Sequence, residues 1–570
     1  MAEEKINLYI DDIQVEVNKG DTILKAAEKA GKYIPTLCFL EEINELGACR
    51  VCVVELADSN KIVASCTTPA QDGMKVKTNS KKVRNTRKMN MEFLLSDHDV
   101  NCTSCIRNED CELREVAEFM GIRDIRFEGK KTHHAVDKST PSIMRDPDKC
   151  ILCRRCVSVC KEVQSVKAIV PDGRGFETTV NPSFYDELGD SPCVYCGQCS
   201  TVCPTGAITE VEYVEEVWNA IFDPEKHVVV QTAPAVRVGL AEAFDAEPGT
   251  IVTGQMVSAL KKLGFDKVFD TNFTADLTIM EEGTELIERI QDGGTLPLFT
   301  SCSPGWIKFI EHQYPEYLEH LSSCKSPQQM FGAISNSYYA EKEGIDKDDL
   351  VVVSIMPCTA KKFEATREEM NGDVDYSLTT RELGRMIKQA GINIMDLEEE
   401  EHDKMLGVSS GAADIFGATG GVMEAALRTA YEIITGEELK NIDFNQVRGL
   451  NGLKEASVMV GDLEVKVAVA HGLGNARVIL DKIKNGEEYH FVEFMACPGG
   501  CIGGGGQPKA ASDEVIERRM KAIYEIDENK TLRKSHENPY IQKLYEEYLE
   551  KPGSHKAHEL LHTEYKARGI

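Results

Sequence analysis

The sequence predicts a multidomain protein of α+β and α/β type, with three small cysteine-bearing domains followed by one large mixed α/β domain. Its 570 residues exceed what one core organises and suit three or four domains. Of its 20 cysteines, 15 precede residue 204 in tight runs and only five follow. From about residue 213, runs such as Val228-Val229-Val230 and Val351-Val352-Val353 alternate with amphipathic helical stretches, the texture of mixed α/β layers.

Composition narrows the function classes. Hydrophobic residues make up 42% and charged residues 28%, an ordinary globular balance. No run of about 18 apolar residues occurs, so no membrane-spanning helix is expected. Met1-Ala2-Glu3-Glu4-Lys5 leads directly into an alternating, strand-like segment rather than a secretory signal, so the chain is expected in the reducing cytoplasm, where disulfides are disfavoured. A net charge of −29 argues against general nucleic-acid binding, which needs a basic footprint. The one basic stretch, Lys81-Lys82-Val83-Arg84 with Arg87 and Lys88, reads as a solvated helix face, or as a docking face for an acidic electron carrier. Tight thiol runs in a reducing compartment point to metal.

Residues 1–82 read as short strands (Ile6 to Ile10, Ile13 to Val17, Val51 to Leu56, Lys75 to Thr78) around a helix from Thr22 to Ala30. Cys38-x10-Cys49-x2-Cys52-x13-Cys66 puts four thiolates on the loops between them, the number a [2Fe–2S] cluster needs. A zinc site is the rival reading, although zinc ribbons space their cysteines as two close pairs. Residues 83–129 read as helical through Met89, Met91, Phe93, Leu94 and Leu95. There His98-x3-Cys102-x2-Cys105-x5-Cys111 offers three thiols and an imidazole, a competent fourth ligand for a [4Fe–4S] cube.

Residues 130–212 hold the only internal repeat: Cys150-x2-Cys153-x2-Cys156-x3-Cys160, then Cys193-x2-Cys196-x2-Cys199-x3-Cys203-Pro204. In this spacing three cysteines bind one cube and the fourth crosses to the other. Cys150, Cys153, Cys156 and Cys203 are thus expected to hold one [4Fe–4S] cluster, and Cys160, Cys193, Cys196 and Cys199 a second. The first run departs from the pattern in having Lys161 where the second has Pro204. Fifteen cysteines with His98 give 16 ligands, enough for four accessory clusters in series. Such a wire implies redox chemistry at one end and a soluble carrier at the other.

The first 210 residues resemble the electron-input arm of several large redox enzymes, among them the iron–sulfur subunit of respiratory NADH dehydrogenase and some formate dehydrogenases. The downstream motifs are more specific: Thr300-Ser301-Cys302-Ser303-Pro304-Gly305-Trp306, then Met356-Pro357-Cys358-Thr359-Ala360-Lys361-Lys362-Phe363-Glu364, then Glu493-Phe494-Met495-Ala496-Cys497-Pro498-Gly499-Gly500-Cys501 running into Gly503 to Gly506. Together they resemble the three signatures of the iron-only (Fe–Fe) hydrogenases, clostridial type with four accessory clusters. The resemblance covers essentially the whole chain. It implies a plant-ferredoxin-like β-grasp [2Fe–2S] domain (1–82) and a small [4Fe–4S] domain with one histidine and three cysteine ligands (83–129). It further implies a bacterial ferredoxin-like domain with two [4Fe–4S] clusters (130–212) and an H-cluster catalytic domain (213–570).

The H-cluster so implied is a [4Fe–4S] cube joined through one cysteine to a two-iron unit bearing CO, cyanide and azadithiolate. By resemblance Cys358, Cys497 and Cys501 are cube ligands, with Cys501 the bridge; Lys361 donates to a cyanide, and Pro234 and Gln328 take other cyanide-contact positions. Met356, Met495 and Phe416 are expected to line a dry pocket around the CO ligands, soft packing that excludes water. Cys302 matches the terminal proton donor, and Glu282, Ser322, Glu285 and Arg289 its relay to the surface. Glu282 and Glu285, at i and i+3, share one helix face; without the resemblance they read as ordinary surface glutamates. The resemblance further implies dihydrogen and protons as substrates, ferredoxin or flavodoxin as carrier, and separate proteins that install the diiron unit.

One departure stands out. The family has two adjacent cysteines in the first motif, and the second, the fourth cube ligand, is here Ser303. Ser303 ligating through oxygen, Cys302 ligating instead, or Cys324 serving either role are the three readings; for Cys324 an inert buried thiol is the plain alternative. A non-catalytic cluster-assembly relative and a hydrogen sensor are the other function classes this domain serves. Lys361, Cys501, Met495 and the glutamate relay speak against the first, and no signalling domain is visible for the second. A respiratory-complex subunit would not carry these motifs after residue 213.

Overall fold

The computed structural model describes every residue except 1–3, 129–130, 132, 185–186, 440–441, 462, 511 and 570. The domain boundary expected at residues 129 and 130 therefore lies outside the described residues.

Near the N-terminus, Lys5–Ile10 and Ile13–Asn18 pair antiparallel, and Lys5–Ile10 pairs in parallel with Lys75–Lys77. Val53–Leu56 and Lys61–Ala64 complete a five-stranded sheet. Leu8, Ile10, Val15 and Val17 alternate with exposed neighbours, so one face of the sheet is buried against the helix Ile23–Lys29. Thr22 caps that helix by accepting from the Lys25 N–H.

The next helix, Lys81–Asp97, is capped by Ser80 and ends at His98. It begins before the boundary expected at residue 82, so that boundary falls in its first turn. Part of its basic stretch is not solvated: Arg87 is buried and donates to the Val53 carbonyl at 2.8 and 3.1 Å. Lys81, Lys82, Arg84 and Lys88 are exposed, together with Met89 and Phe93. One apolar cluster then joins the arm: Leu37, Cys38, Cys49 and Val51 pack with Met91, with Leu113 and Val116 of the helix Glu112–Phe119, and with Ile151 and Cys153.

The large C-terminal region contains two four-stranded sheets. In one, Lys267–Asp270, His227–Thr232, Leu350–Met356 and Tyr376–Thr379 all run parallel. Leu350–Met356 is buried along its whole length, as a strand covered on both faces must be. Alternation sorts its valines: Val228, Val230, Val351 and Val353 face one core, Val229 and Val352 another. Each such buried valine stabilises by about 1.5–3 kcal/mol, so the alternation holds the two faces of the strands in their separate cores. In the other sheet, Leu298–Phe299, Phe491–Met495 and Leu463–His471 run parallel, with Leu453–Val460 antiparallel at the edge.

The charged C-terminal helices pack back on the body. Ile516, Met520 and Ile523 of Asp513–Asn529 join one core, and Leu544, Tyr545, Leu549 and Leu561 another, with Tyr548 and Leu560 partly buried against it.

Candidate active site

The three signature motifs leave the carboxyl ends of parallel strands, where α/β sheets bind ligands. Pro357 and Cys358 follow Leu350–Met356, Ala496 and Cys497 follow Phe491–Met495, the segment to Cys302 and Ser303 follows Leu298–Phe299, and Ala233 and Pro234 follow His227–Thr232. Two sheets thus point their strand ends at one space. It is a cavity lined by Cys302, Ser303, Cys358, Cys497, Cys501 and Lys361, and also by Pro234, Gln328, Met356, Phe416 and Met495.

The glycine run after Cys501 is what lets this loop close. A side chain at Gly504 would strike the Pro357 carbonyl, and one at Gly505 the Cys196 carbonyl. The neighbouring Gln198 Nε2 donates to the Gly503 carbonyl at 2.9 Å, and Thr359 Oγ1 donates to the Tyr195 carbonyl at 2.7 Å. Cys196 lines both this cavity and a second one, formed by Cys160, Cys193, Cys196 and Cys199.

The donor set fits an iron–sulfur group. Burial, then the charge of neighbouring Cys358, pushes the Cys501 thiol up to about 12. Burial and the charges of Cys358 and Cys501 likewise raise Cys497. Soft thiols that disfavour each other's ionisation in an apolar space are relieved by a cation. Burial also raises Cys358, while the Lys361 ammonium opposes that rise. Lys361 Nζ is itself held by Glu364 at 2.8 Å, and Glu364 accepts from Gln328 Nε2 at 3.1 Å and Ser326 Oγ at 2.8 Å. Glu364 closes the second motif, and its role as an anchor for two cavity residues was not read from the sequence. Neither was that of buried Glu493, which accepts from the Gly420 and Met423 N–H groups and fixes the segment following Phe416.

Cys302 is raised by burial and then by the charge of Glu282. Glu282 lies on the helix Thr271–Asp292 and is buried, not the surface glutamate its sequence context suggests. Burial, then the charge of Glu285, raises its carboxyl to about 8, against a hydrogen bond shared with Ser322 and one from the Ser301 backbone. Ser322 Oγ donates to Glu285 Oε2 at 2.8 Å, and Arg289 Nη2 to Glu285 Oε1 at 2.7 Å. Ser303 lines the cavity and accepts from the Ala496 N–H at 3.3 Å. Cys324 is absent from the cavity lining; it is buried in a separate apolar cluster, its N–H on Ser322 Oγ at 3.2 Å.

All twenty thiols are free. Cys150, Cys153, Cys156 and Cys203 line one cavity, separate from the one lined by Cys160, Cys193, Cys196 and Cys199. Cys38, Cys49, Cys52 and Cys66 are buried, with Cys52 Sγ 3.2 Å from Cys66 Sγ. In each of the pairs Cys38–Cys49 and Cys52–Cys66 a thiol–thiol hydrogen bond pulls one partner down and pushes the other up. Buried His98 has an Nδ1 with no hydrogen-bond partner, an orphan a metal would satisfy. Cys105 Sγ lies 2.7 Å from where a Gly206 Cβ would stand, and Cys111 Sγ 3.8 Å from the Pro204 carbonyl. Pro204 lines the cavity of Cys150, Cys153, Cys156 and Cys203, and Cys38 and Cys49 share an apolar cluster with Cys153, so the His98 and Cys38 sets each adjoin that cavity. These contacts suit a fork, with two outer sets beside one inner site.

Comparison with known proteins bears on the same residues. Residues 226–505 match the C-terminal domain of the iron-only hydrogenase large subunit, and 513–568 the iron hydrogenase small subunit. Residues 3–81 match a 2Fe-2S iron-sulfur cluster binding domain, 87–126 the NADH-ubiquinone oxidoreductase-G iron-sulfur binding region, and 149–207 a 4Fe-4S dicluster domain. The chain is 51% identical to the NADP-reducing hydrogenase subunit HndD of Solidesulfovibrio fructosivorans, over 98% of both chains. It is 42% identical to iron hydrogenase 1 of Clostridium pasteurianum, over 98% of this chain and 99% of that one. A solved [FeFe]-hydrogenase HydA1 variant from Chlamydomonas reinhardtii superposes with a TM-score of 0.58 at 45% identity, covering 63% of this chain and 100% of its own. With the motifs at the strand ends and this similarity from end to end, the chain belongs to the iron-only hydrogenase family, oxidoreductases that interconvert protons and dihydrogen at an H-cluster fed by accessory iron–sulfur clusters.

Proposed function

We propose that this hydrogenase works through the residues gathered in this cavity, and the observation that carries the reading is that Cys358, Cys497, Cys501 and Lys361 share it with Cys196 of the arm. Cys358, Cys497 and Cys501 would hold the iron–sulfur part of the H-cluster, with Cys501 the one placed toward its diiron unit. Ser303 Oγ would take the fourth ligand position; its presence on the wall beside those thiols supports it, whereas Cys324 lies elsewhere and Cys302 lies beside Glu282 of the relay. When bound, the H-cluster supplies the site at which two protons and two electrons become dihydrogen.

The protein's own part is to move protons and exclude water. Glu282 keeps its carboxyl proton to about pH 8, so at neutral pH it can donate to Ser322 Oγ or toward Cys302, and Ser322 is already bonded to Glu285. Arg289 ties Glu285 to the Leu321 carbonyl and fixes the outer end of the relay. Lys361, oriented by Glu364, offers a fixed cation to an anionic ligand, and Gln328 and Pro234 border the same space. Met356, Met495 and Phe416 keep it apolar.

The arm is read as a β-grasp [2Fe–2S] domain with Cys38, Cys49, Cys52 and Cys66, a His98–Cys102–Cys105–Cys111 cube, and a ferredoxin-like pair of cubes, bounded near 82, 129 and 212. Electrons exchange with ferredoxin or flavodoxin in the cytoplasm, and dedicated maturation proteins install the diiron unit. The exposed Lys81, Arg84, Lys88, Met89 and Phe93 on the helix that ends at His98 suit an acidic carrier with an apolar contact patch. Hydrogen evolution by the matured protein with reduced ferredoxin tests the whole reading. Steady evolution supports it; evolution with artificial dyes but none with ferredoxin or flavodoxin turns it toward a larger assembly, as the similarity to a subunit of a NADP-reducing hydrogenase suggests.

A further inference from the structure

We infer that the side chain of Asn44 is the electronic coupler between the site of Cys38, Cys49, Cys52 and Cys66 and the site of Cys150, Cys153, Cys156 and Cys203. Asn44 Nδ2 donates to the Cys38 carbonyl at 2.5 Å and to the Cys153 carbonyl at 3.1 Å. One amide group thus touches a proposed ligand residue of each site. Its other end is fixed as well, because Ser158 Oγ donates to Asn44 Oδ1 at 2.6 Å.

The surroundings make this bridge unusual. Asn44 is almost fully buried, and the interface around it is apolar, built from Leu37, Val51, Met91, Leu113 and Ile151. A buried polar side chain costs stability unless its hydrogen bonds are made, and a leucine would fill this space without that demand. Asn44 satisfies its demand by bonding to the two cysteine residues across the boundary, and Ser158 holds the amide in that orientation. The loop is also shaped for it: the Leu40 and Asn44 backbones pair, with the Asn44 N–H on the Leu40 carbonyl at 2.8 Å.

The inference rests on the proposed reading that both cysteine sets hold clusters. The step is the transfer of one electron: a reduced [2Fe–2S] cluster is oxidised by one unit and the neighbouring [4Fe–4S] cluster reduced by one, or the reverse, with no bond made or broken. Coupling between two redox centres falls steeply across a non-bonded gap, and a hydrogen bond shortens such gaps. The route Cys38 C=O to Asn44 N–H to Cys153 C=O gives the boundary a path through hydrogen bonds. Asn44 is therefore a positioning residue for electron flow rather than a catalytic one, and its loss is felt in a rate, not in the cluster potentials.

The test uses the complete matured enzyme reduced with dihydrogen and followed by rapid-freeze-quench electron paramagnetic resonance. In the unaltered protein the [2Fe–2S] signal is expected to rise together with the [4Fe–4S] signals. In Asn44→Leu it is expected to lag them several-fold, while equilibrium redox titration returns unchanged midpoint potentials for every cluster. Signals that still rise together overturn the inference, and so does a lag explained by a shifted potential. Should Asn44→Leu fail to retain the [2Fe–2S] cluster, Asn44→Ser decides in the same way, since its short hydroxyl cannot bond to both carbonyls: a lag supports coupling and none overturns it. No [2Fe–2S] signal in the unaltered protein would instead remove the cluster reading itself.

Discussion

In the arm, Cys150, Cys153 and Cys156 stand on one loop and the short helix it enters, so the chain itself brings the donors together. In the catalytic cavity the donors arrive from distant segments: Cys302 and Ser303 after one strand, Cys358 after a second, Cys497 and Cys501 after a third. The first arrangement needs little beyond a turn. The second depends on two parallel sheets ending at the same place, on a glycine loop narrow enough to pass the Cys196 carbonyl, and on the buried pair of Lys361 and Glu364. Local donor sets are robust and replaceable, whereas a site assembled across the fold fails as a unit.

The largest expected difference comes from removing a donor from each region. Cys501→Ala is expected to abolish hydrogen evolution, measured by gas chromatography, while the paramagnetic signals of the arm persist. Residual evolution at a sizeable fraction of the original rate would show that the cavity is not the catalytic site.

The relay is the next sharpest contrast, because it has no counterpart in the arm. Glu282→Gln keeps the shape but not the titratable proton and is expected to lower turnover by about 10²- to 10⁴-fold, with the infrared bands of the diiron unit retained. The sign of the pH dependence follows from the raised carboxyl: Glu282 is protonated below and ionised above about 8, so evolution holds below that pH and declines above it. Glu285→Gln removes the negative charge that helps raise Glu282, so the remaining decline moves to lower pH. A decline that stays put, measured by initial rates across pH, would break the assignment.

The smallest effect is expected in the fork. Both the His98 set and the Cys38 set abut the same inner site, so losing one branch leaves the other. His98→Ala is expected to alter one cluster's paramagnetic signal and to slow turnover with a soluble carrier only several-fold. Complete loss would return the arm to a single line.

The legibility of the sequence follows the same division. The cysteine runs of the arm were readable because most donors of a set are near one another along the chain, and the crossing of Cys203 to the first run follows from the repeated spacing. The three catalytic motifs were recognisable as motifs, yet nothing in periodicity said that Leu298–Phe299, Leu350–Met356 and Phe491–Met495 would converge. Glu282 resembled a surface glutamate because its helix is charged outside and buried only where it meets the body. Arg87 belonged to a basic run, yet it turns inward to the Val53 carbonyl. The fork, too, was invisible: Asn44 to Cys153 and Cys111 to Pro204 are contacts across long stretches of chain. Short-range chemistry is written in the sequence, and convergence is decided by packing.

The measurement that bears most directly on the central claim is infrared spectroscopy of the matured enzyme beside its Lys361→Met variant. Stretching bands of CO and cyanide are expected in the unaltered protein. In the variant the cyanide bands are expected to shift or the diiron unit to be lost, because the ammonium held by Glu364 is gone. Absence of both kinds of band from the fully matured protein, or bands in the variant indistinguishable from those of the original, would contradict the placement of the catalytic group in this cavity.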